Sequence, residues 1–142
     1  MTKKVTAGKP RLSLRIDFGN DQAIGPGKIH LLELIDEAGS ISAAARAMGM
    51  SYRRAWLLVD ELNRAFKEPV VVSETGGSGG GGAKLTQEGR RISELFRQVE
   101  AGTAQAFAAE LAELTSNLAK QAPPKTASHT SGLLPKRKRP MT

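Results

Sequence analysis

Two stretches of the chain carry groups whose types and spacing could do chemistry. In Ser51-Tyr-Arg-Arg-Ala-Trp-Leu57, two adjacent arginines follow a serine and a tyrosine. A guanidinium can hold guanine O6 and N7 with two hydrogen bonds, and an exposed leucine can touch a thymine methyl. In Gly76-Gly-Ser-Gly-Gly-Gly-Gly-Ala83, six of eight residues are glycine, so the backbone can come close to another surface. Backbone amides there could meet phosphate, with Lys84 adding a positive charge at the base of the run. The competing readings are a solvated basic face for the arginines and a mobile loop without a partner for the glycines.

Other chemistries fit less well. A P-loop needs Lys and then Ser or Thr directly after its last glycine, but Ala83 intervenes and Leu85 follows Lys84. A G-x-G-x-x-G match runs from Gly77 to Gly82, yet any polyglycine run matches it and no helix begins directly after. The absence of cysteine excludes a thiol nucleophile, a disulfide framework and cysteine-based metal sites. His30 and His129 are too far apart in sequence to suggest a metal pair, and the acidic residues show no paired acid–base spacing. Neither catalytic residues nor a metal site is expected, and the chain does not read as an enzyme.

The net charge of +7 is uneven: five of those charges, Lys125, Lys136, Arg137, Lys138 and Arg139, lie where there is no Asp or Glu, leaving +2 elsewhere. A nucleic-acid partner must therefore be argued from where charges sit, because the total is inflated by one segment. At 142 residues the length suits one domain with an appended segment. No stretch approaches the roughly 18 apolar residues of a membrane span or resembles a signal peptide, so a soluble, cytoplasmic, nucleoid-associated protein is expected.

The elements that must position these groups follow from periodicity and capping. Arg11 to Phe18 alternates apolar and polar residues, as a half-buried strand does, and Gly19-Asn-Asp-Gln is turn chemistry. Pro26 suits a helix start, and Ile29, Leu32 and Ile35 with Leu31, Leu34 and Ala38 recur at helical spacing up to Gly39. Ser42 reads as the cap of a short helix through Met48, Gly49 as its stop, and Ser51 as the cap of a second helix. Ala45, Ala55 and Leu58 fall where two such helices must cross, and together these features predict a helix-turn-helix. In the second helix Ala55, Leu58, Val59, Leu62 and Phe66 form the inward stripe. Arg53, Leu57, Asp60 and Arg64 face outward, and Trp56 at the stripe's edge is expected to pack against the first helix.

Val70 to Glu74 is strand-like, so the glycine run becomes the tip of a hairpin completed by Ala83 to Thr86: a wing. Thr86 then caps a long helix whose stripe continues through Phe107, Leu111, Leu114 and Leu118, with a kink or break expected at Gly102. From Gln121 onward periodicity vanishes, and disorder is expected.

Residues from about Gly25 to Arg91, with GSISAAARAMGMSYRRAWLLVDELN and GGSGGGGAKLTQEGR, resemble the N-terminal DNA-binding domain of ModE-type molybdate-dependent transcriptional regulators. The SISAAA pattern is more distantly similar to LysR-type winged helix-turn-helix proteins. The expected fold is mainly α with a small β wing: a winged helix-turn-helix over 11–86, a long dimerisation helix over 87–119 and a basic segment over 120–142. The expected DNA-binding residues are Ser42, Ser51, Tyr52, Arg53, Arg54, Leu57, Gly79, Gly80, Gly81 and Lys84; Phe107, Leu111, Leu114 and Leu118 are the expected dimer contacts. The resemblance implies a homodimer on a double-stranded DNA operator with two half-sites. Family members carry molybdate-binding domains after the long helix. Here a basic segment follows instead, so this chain is expected to bind no molybdate or other cofactor. Sensing would then fall to a separate molybdate-binding protein. A general DNA-coating protein or a protein-interaction adaptor is the alternative function.

Overall fold

A computed structural model of the chain describes residues 9–74 and 81–119. Two short strands, β1 (Ile16–Gly19) and β2 (Gln22–Ile24), pair antiparallel with Ile16 opposite Ile24. The single strand expected over Arg11–Phe18 is thus shorter and has a partner that three residues were too few to reveal by period. Asn20 and Asp21, with φ of 54° and 61°, make the turn; these types tolerate the left-handed region better than most.

Helix α1 (Pro26–Ala38) begins with proline at its first turn and buries Ile29, Leu31, Leu32 and Ile35. It ends at Gly39, whose N–H donates to the Ile35 carbonyl at 2.8 Å. One extended residue separates it from α2 (Ile41–Met48), and that residue, Ser40, is the cap. The Ser40 hydroxyl accepts the Ala43 N–H at 3.0 Å. The expected cap, Ser42, instead lies exposed inside the first turn. Gly39 stops α1 so abruptly that the next helix starts sooner than the serine pattern suggests. Gly49, at φ 71°, then reverses the chain in a conformation other residues rarely adopt, and the Met50 N–H donates to the Ala45 carbonyl at 3.0 Å.

Helix α3 (Tyr52–Ala65) is capped by Ser51, whose hydroxyl accepts the Arg54 N–H at 3.0 Å. Ala45 and Ala55 are buried as expected, and so is Ala44, which lets the backbones of α2 and α3 approach closely. Val59 and Leu62 extend the buried stripe, while Leu58 and Phe66 pack at its margin.

Strands β3 (Val71–Glu74) and β4 (Gly82–Leu85) form the wing hairpin, in register from Val71 opposite Leu85 to Glu74 opposite Gly82. The Ala83 N–H donates to the Gly39 carbonyl at 2.9 Å and ties the wing to the turn between α1 and α2. The wing's base is therefore held by the same turn that launches α2.

Thr86 caps α4 (Gln87–Ala106), accepting the Gly89 N–H at 2.9 Å. Gly89 is required sterically: a Cβ there would lie 2.2 Å from the Val70 carbonyl oxygen. Ile92 and Phe96 then bury against the helical core. The helix does not break at Gly102, where α4 continues. The break comes at Phe107, after which α5 (Ala108–Ser116) runs on with no buried residue. Just before the break the Thr103 hydroxyl donates to the Val99 carbonyl at 2.7 Å, a contact of the kind that bends helices.

Candidate nucleic-acid interface

The outward side of α3 is built from its first two turns. Tyr52, Arg53, Arg54 and Leu57 are all exposed, as expected, while Ala55 between them is fully buried and anchors the helix. The helix N-terminus, where unpaired amides and the macrodipole favour an anion, opens on the same side as these arginines.

Most described arginines of the surrounding scaffold are paired with carboxylates, and those of this surface are not. Arg15 pairs with Asp17 at 3.0 Å, Lys28 with Glu61 at 3.2 Å and Arg64 with Asp60 at 2.8 Å. Arg90 reaches Asp36 at 3.5 Å and Arg91 reaches Glu94 at 3.4 Å. Among the described residues, Arg53 and Arg54 on α3 and Arg46 on α2 have no such carboxylate partner; nor do Lys9, Arg11 and Lys67, which lie outside α2 and α3. Arg46 touches only the Ser42 hydroxyl, at 3.5 Å. It was missed from the sequence, although its place in the last turn of α2, three residues before Gly49, puts it outside the buried alanine face.

The wing contributes less charge than expected. Lys84 pairs with Glu74 at 3.2 Å, across the hairpin, so its cation is largely compensated. Only the hairpin register, which sets the two residues diagonally across the strands, reveals this. Gly81 is exposed at the described edge of the wing, while Gly79 and Gly80 lie outside the described residues.

Trp56 is corrected by the structure. Its indole is 45% exposed and does not fill the interface with the first helix. It stands one turn after Tyr52 and, with Val72, Glu74 and Gly81, lines a cleft between α3 and the wing. Ala45 and Ala55, both buried, belong to the core between α2 and α3 instead.

Two supporting contacts hold wing and helix in fixed relation. Asn63 Oδ1 accepts the Val70 and Val71 N–H groups at 2.7 and 3.1 Å, and its amide donates to the Val71 carbonyl at 3.2 Å. The Thr86 hydroxyl donates to the Pro69 carbonyl at 2.7 Å. Behind the interface, Arg97 grips both Glu33 oxygens at 2.9 Å and also reaches Glu100 at 2.8 Å, bracing α4 on α1. The Arg97 hydrogen bonds hold the Glu33 carboxyl below the ordinary range despite the opposing effect of burial, and the same pairing raises Arg97. His30 sits at the edge of this brace, 3.7 Å from Glu33. Among the described residues no group of three or more His, Asp or Glu side chains is arranged to hold a metal ion.

The expected dimer residues do not lie on one continuous helix. Leu111 and Leu114 belong to α5, Phe107 is the junction, and Leu118 lies beyond the helix end. Phe107, Leu114 and Leu118 are exposed in the single chain.

A helix-turn-helix with a hairpin wing and uncompensated arginines on its second helix defines a class: the winged helix-turn-helix DNA-binding domains. The comparisons with known proteins agree. Residues 27–90 match the family described as bacterial regulatory helix-turn-helix protein, lysR family, and form a LysR-type helix-turn-helix domain. The chain is 43% identical over 90 residues to the molybdenum transport protein ModE of Azotobacter vinelandii, covering 63% of this chain and 33% of that protein. It is 44% identical over 71 residues to the DNA-binding transcriptional dual regulator ModE of Escherichia coli K12, covering 50% of this chain and 27% of the relative. The molybdenum-pterin-binding protein MopB of Rhodobacter capsulatus is 43% identical over 81 residues, covering 57% and 30%. The chain thus spans about a third of the length of the curated relatives it matches. These similarities are consistent with the N-terminal domain of ModE-type regulators.

Proposed function

We propose that this protein is a sequence-specific DNA-binding transcriptional regulator of the ModE type, acting in molybdenum-related gene control. The observation that carries the reading is the cation pattern. Arg46, Arg53 and Arg54 lack carboxylate partners on the groove-facing side of the helix-turn-helix, while the scaffold arginines beside them are paired. Arg53 and Arg54 suit guanine edges or phosphate, Leu57 suits a thymine methyl, and Ser42, Ser51 and Gly81 suit the DNA backbone.

In this reading two copies associate through the apolar residues left exposed on α4 and α5, among them Val99, Phe107 and Leu114, with Leu111 and Leu118 continuing the set. Two-fold symmetry then calls for an operator with two half-sites. The molybdenum connection rests on the names of the relatives. In this reading the chain itself carries no molybdate site. A separate molybdate-binding protein would supply the signal. The cationic segment after Lys120 lies outside the described residues; its sequence suits added phosphate contacts without base choice.

The test is selection of binding sites from random duplex DNA by the purified protein, followed by footprinting at several salt concentrations. A palindromic site protected in preference to random sequence supports the proposal. Equal protection of every sequence would indicate a DNA-coating protein, and no protection would indicate an adaptor.

A further inference from the structure

We infer that the cleft between α3 and the wing reads thymine methyl groups through Trp56 and Tyr52. This rests on the DNA-binding reading above and deepens it.

Tyr52, Trp56 and Asn63 fall on one side of α3, about one turn and then two turns apart. The direction of that side is known, because Asn63 is hydrogen bonded to the start of β3. Tyr52 and Trp56 therefore point toward the wing, and they remain 55% and 45% exposed. Neither ring is needed by the core, which Ala55, Val59 and Leu62 already fill on the adjacent face. Two large apolar side chains are thus held in a cleft and, among the described residues, left partly uncovered.

With α3 in the major groove and the wing against the neighbouring minor groove, the strand dividing the two grooves must pass along this cleft. That strand offers phosphates, deoxyribose and the major-groove edges of its bases. The described walls include Ser42 and Gly81, which suit the backbone, but they offer no free cation to phosphate: Glu74 lines the cleft and the nearby Lys84 is paired with it at 3.2 Å. The free arginines, Arg46, Arg53 and Arg54, belong to α2 and to the opening of α3. The cleft walls are therefore suited to apolar groups. Of the apolar groups on DNA, deoxyribose is the same at every position. The thymine C5-methyl is the apolar group that varies with sequence. Tyr52 and Trp56 would accordingly place thymines in the half-site beside the positions read by the arginines.

The test uses the selected operator, with each thymine replaced in turn by deoxyuridine, which removes the methyl and nothing else. Wild-type protein should lose roughly fourfold in affinity at one or two positions per half-site, the equivalent of one buried methyl group. Trp56→Ala should bind the thymine and deoxyuridine operators equally at one of those positions, and Trp56→Phe should restore part of the difference. Melting temperatures of both variants near wild type would exclude a folding defect, as expected for an exposed ring. Methyl dependence that persists in Trp56→Ala overturns the inference. So does specific binding without any methyl dependence, or a selected site lacking thymine, although both leave the proposed function intact. A protein with no sequence preference overturns both.

Discussion

Helices α3 and α4 begin alike and end in different roles. Each is capped by a hydroxyl that accepts the amide three residues on, Ser51 from Arg54 and Thr86 from Gly89. Each carries two adjacent arginines near its start, Arg53 and Arg54 in one, Arg90 and Arg91 in the other. On α4 those arginines are paired with Asp36 and Glu94, and Arg97 about two turns further is clamped by Glu33. On α3 they have no carboxylate partner among the described residues. Local sequence therefore sets where a helix starts, whereas tertiary neighbours decide whether its charges serve the fold or an outside partner.

The sharpest break in that comparison lies where α4 passes into α5. If the apolar residues there join two copies, Leu111→Glu with Leu114→Glu should give monomers by sedimentation. Operator affinity should then fall by about 10²–10⁴, the usual gain from linking two binding events. Monomeric wild-type protein at micromolar concentration would refute the arrangement.

Substitutions at matched positions should separate the two helices next. Arg53→Ala should cost about 1–3 kcal/mol on the selected operator and relax preference at one base position, with melting unchanged. Gly89→Ala should do the reverse. Its Cβ would meet the Val70 carbonyl oxygen at 2.2 Å, so the overpacked junction should lose roughly 1–3 kcal/mol of stability in denaturant unfolding.

A smaller effect should appear in acid. Glu33 has a carboxyl pKa below its ordinary value of 4.5 in the folded chain. Its contribution is complete above that ordinary value and is lost as pH falls through the lowered one. Thermal unfolding from pH 6 to pH 3 should therefore show less acid sensitivity in Arg97→Gln than in wild type. Equal sensitivity would mean that the brace between α1 and α4 adds nothing.

What was legible in the sequence was local. Gly39, Gly49, Ser51 and Thr86 act through their own backbone or through an amide three residues away, and each ends or starts a helix as read. Ser42 was mistaken for Ser40 because both serines flank Ile41, and only the extended backbone of Ser40 decides between them. The exposure of Trp56 was not legible, since a helical wheel gives its direction but not whether an alanine contact leaves room for an indole. Arg97 and Glu33 are 64 residues apart, and no spacing rule joins them. Glycine at 102 suggested a kink by type, yet the helix runs through it and breaks at Phe107. Of the candidate DNA residues, Arg53, Arg54 and Leu57 are exposed as read. Lys84 is compensated by a partner that only the wing register brings near, and Arg46 was overlooked.

The salt dependence of operator binding tests the central claim most directly. Two triple variants should be compared, Arg46, Arg53 and Arg54 to Gln against Arg15, Arg64 and Arg91 to Gln, which remove the same formal charge. If the unpaired cations are the DNA contacts, the first should flatten the slope of log K against log salt by up to about 2.7, and the second by much less. Equal flattening in the two variants would mean that charge total, and not its placement on α2 and α3, governs binding, contradicting the account.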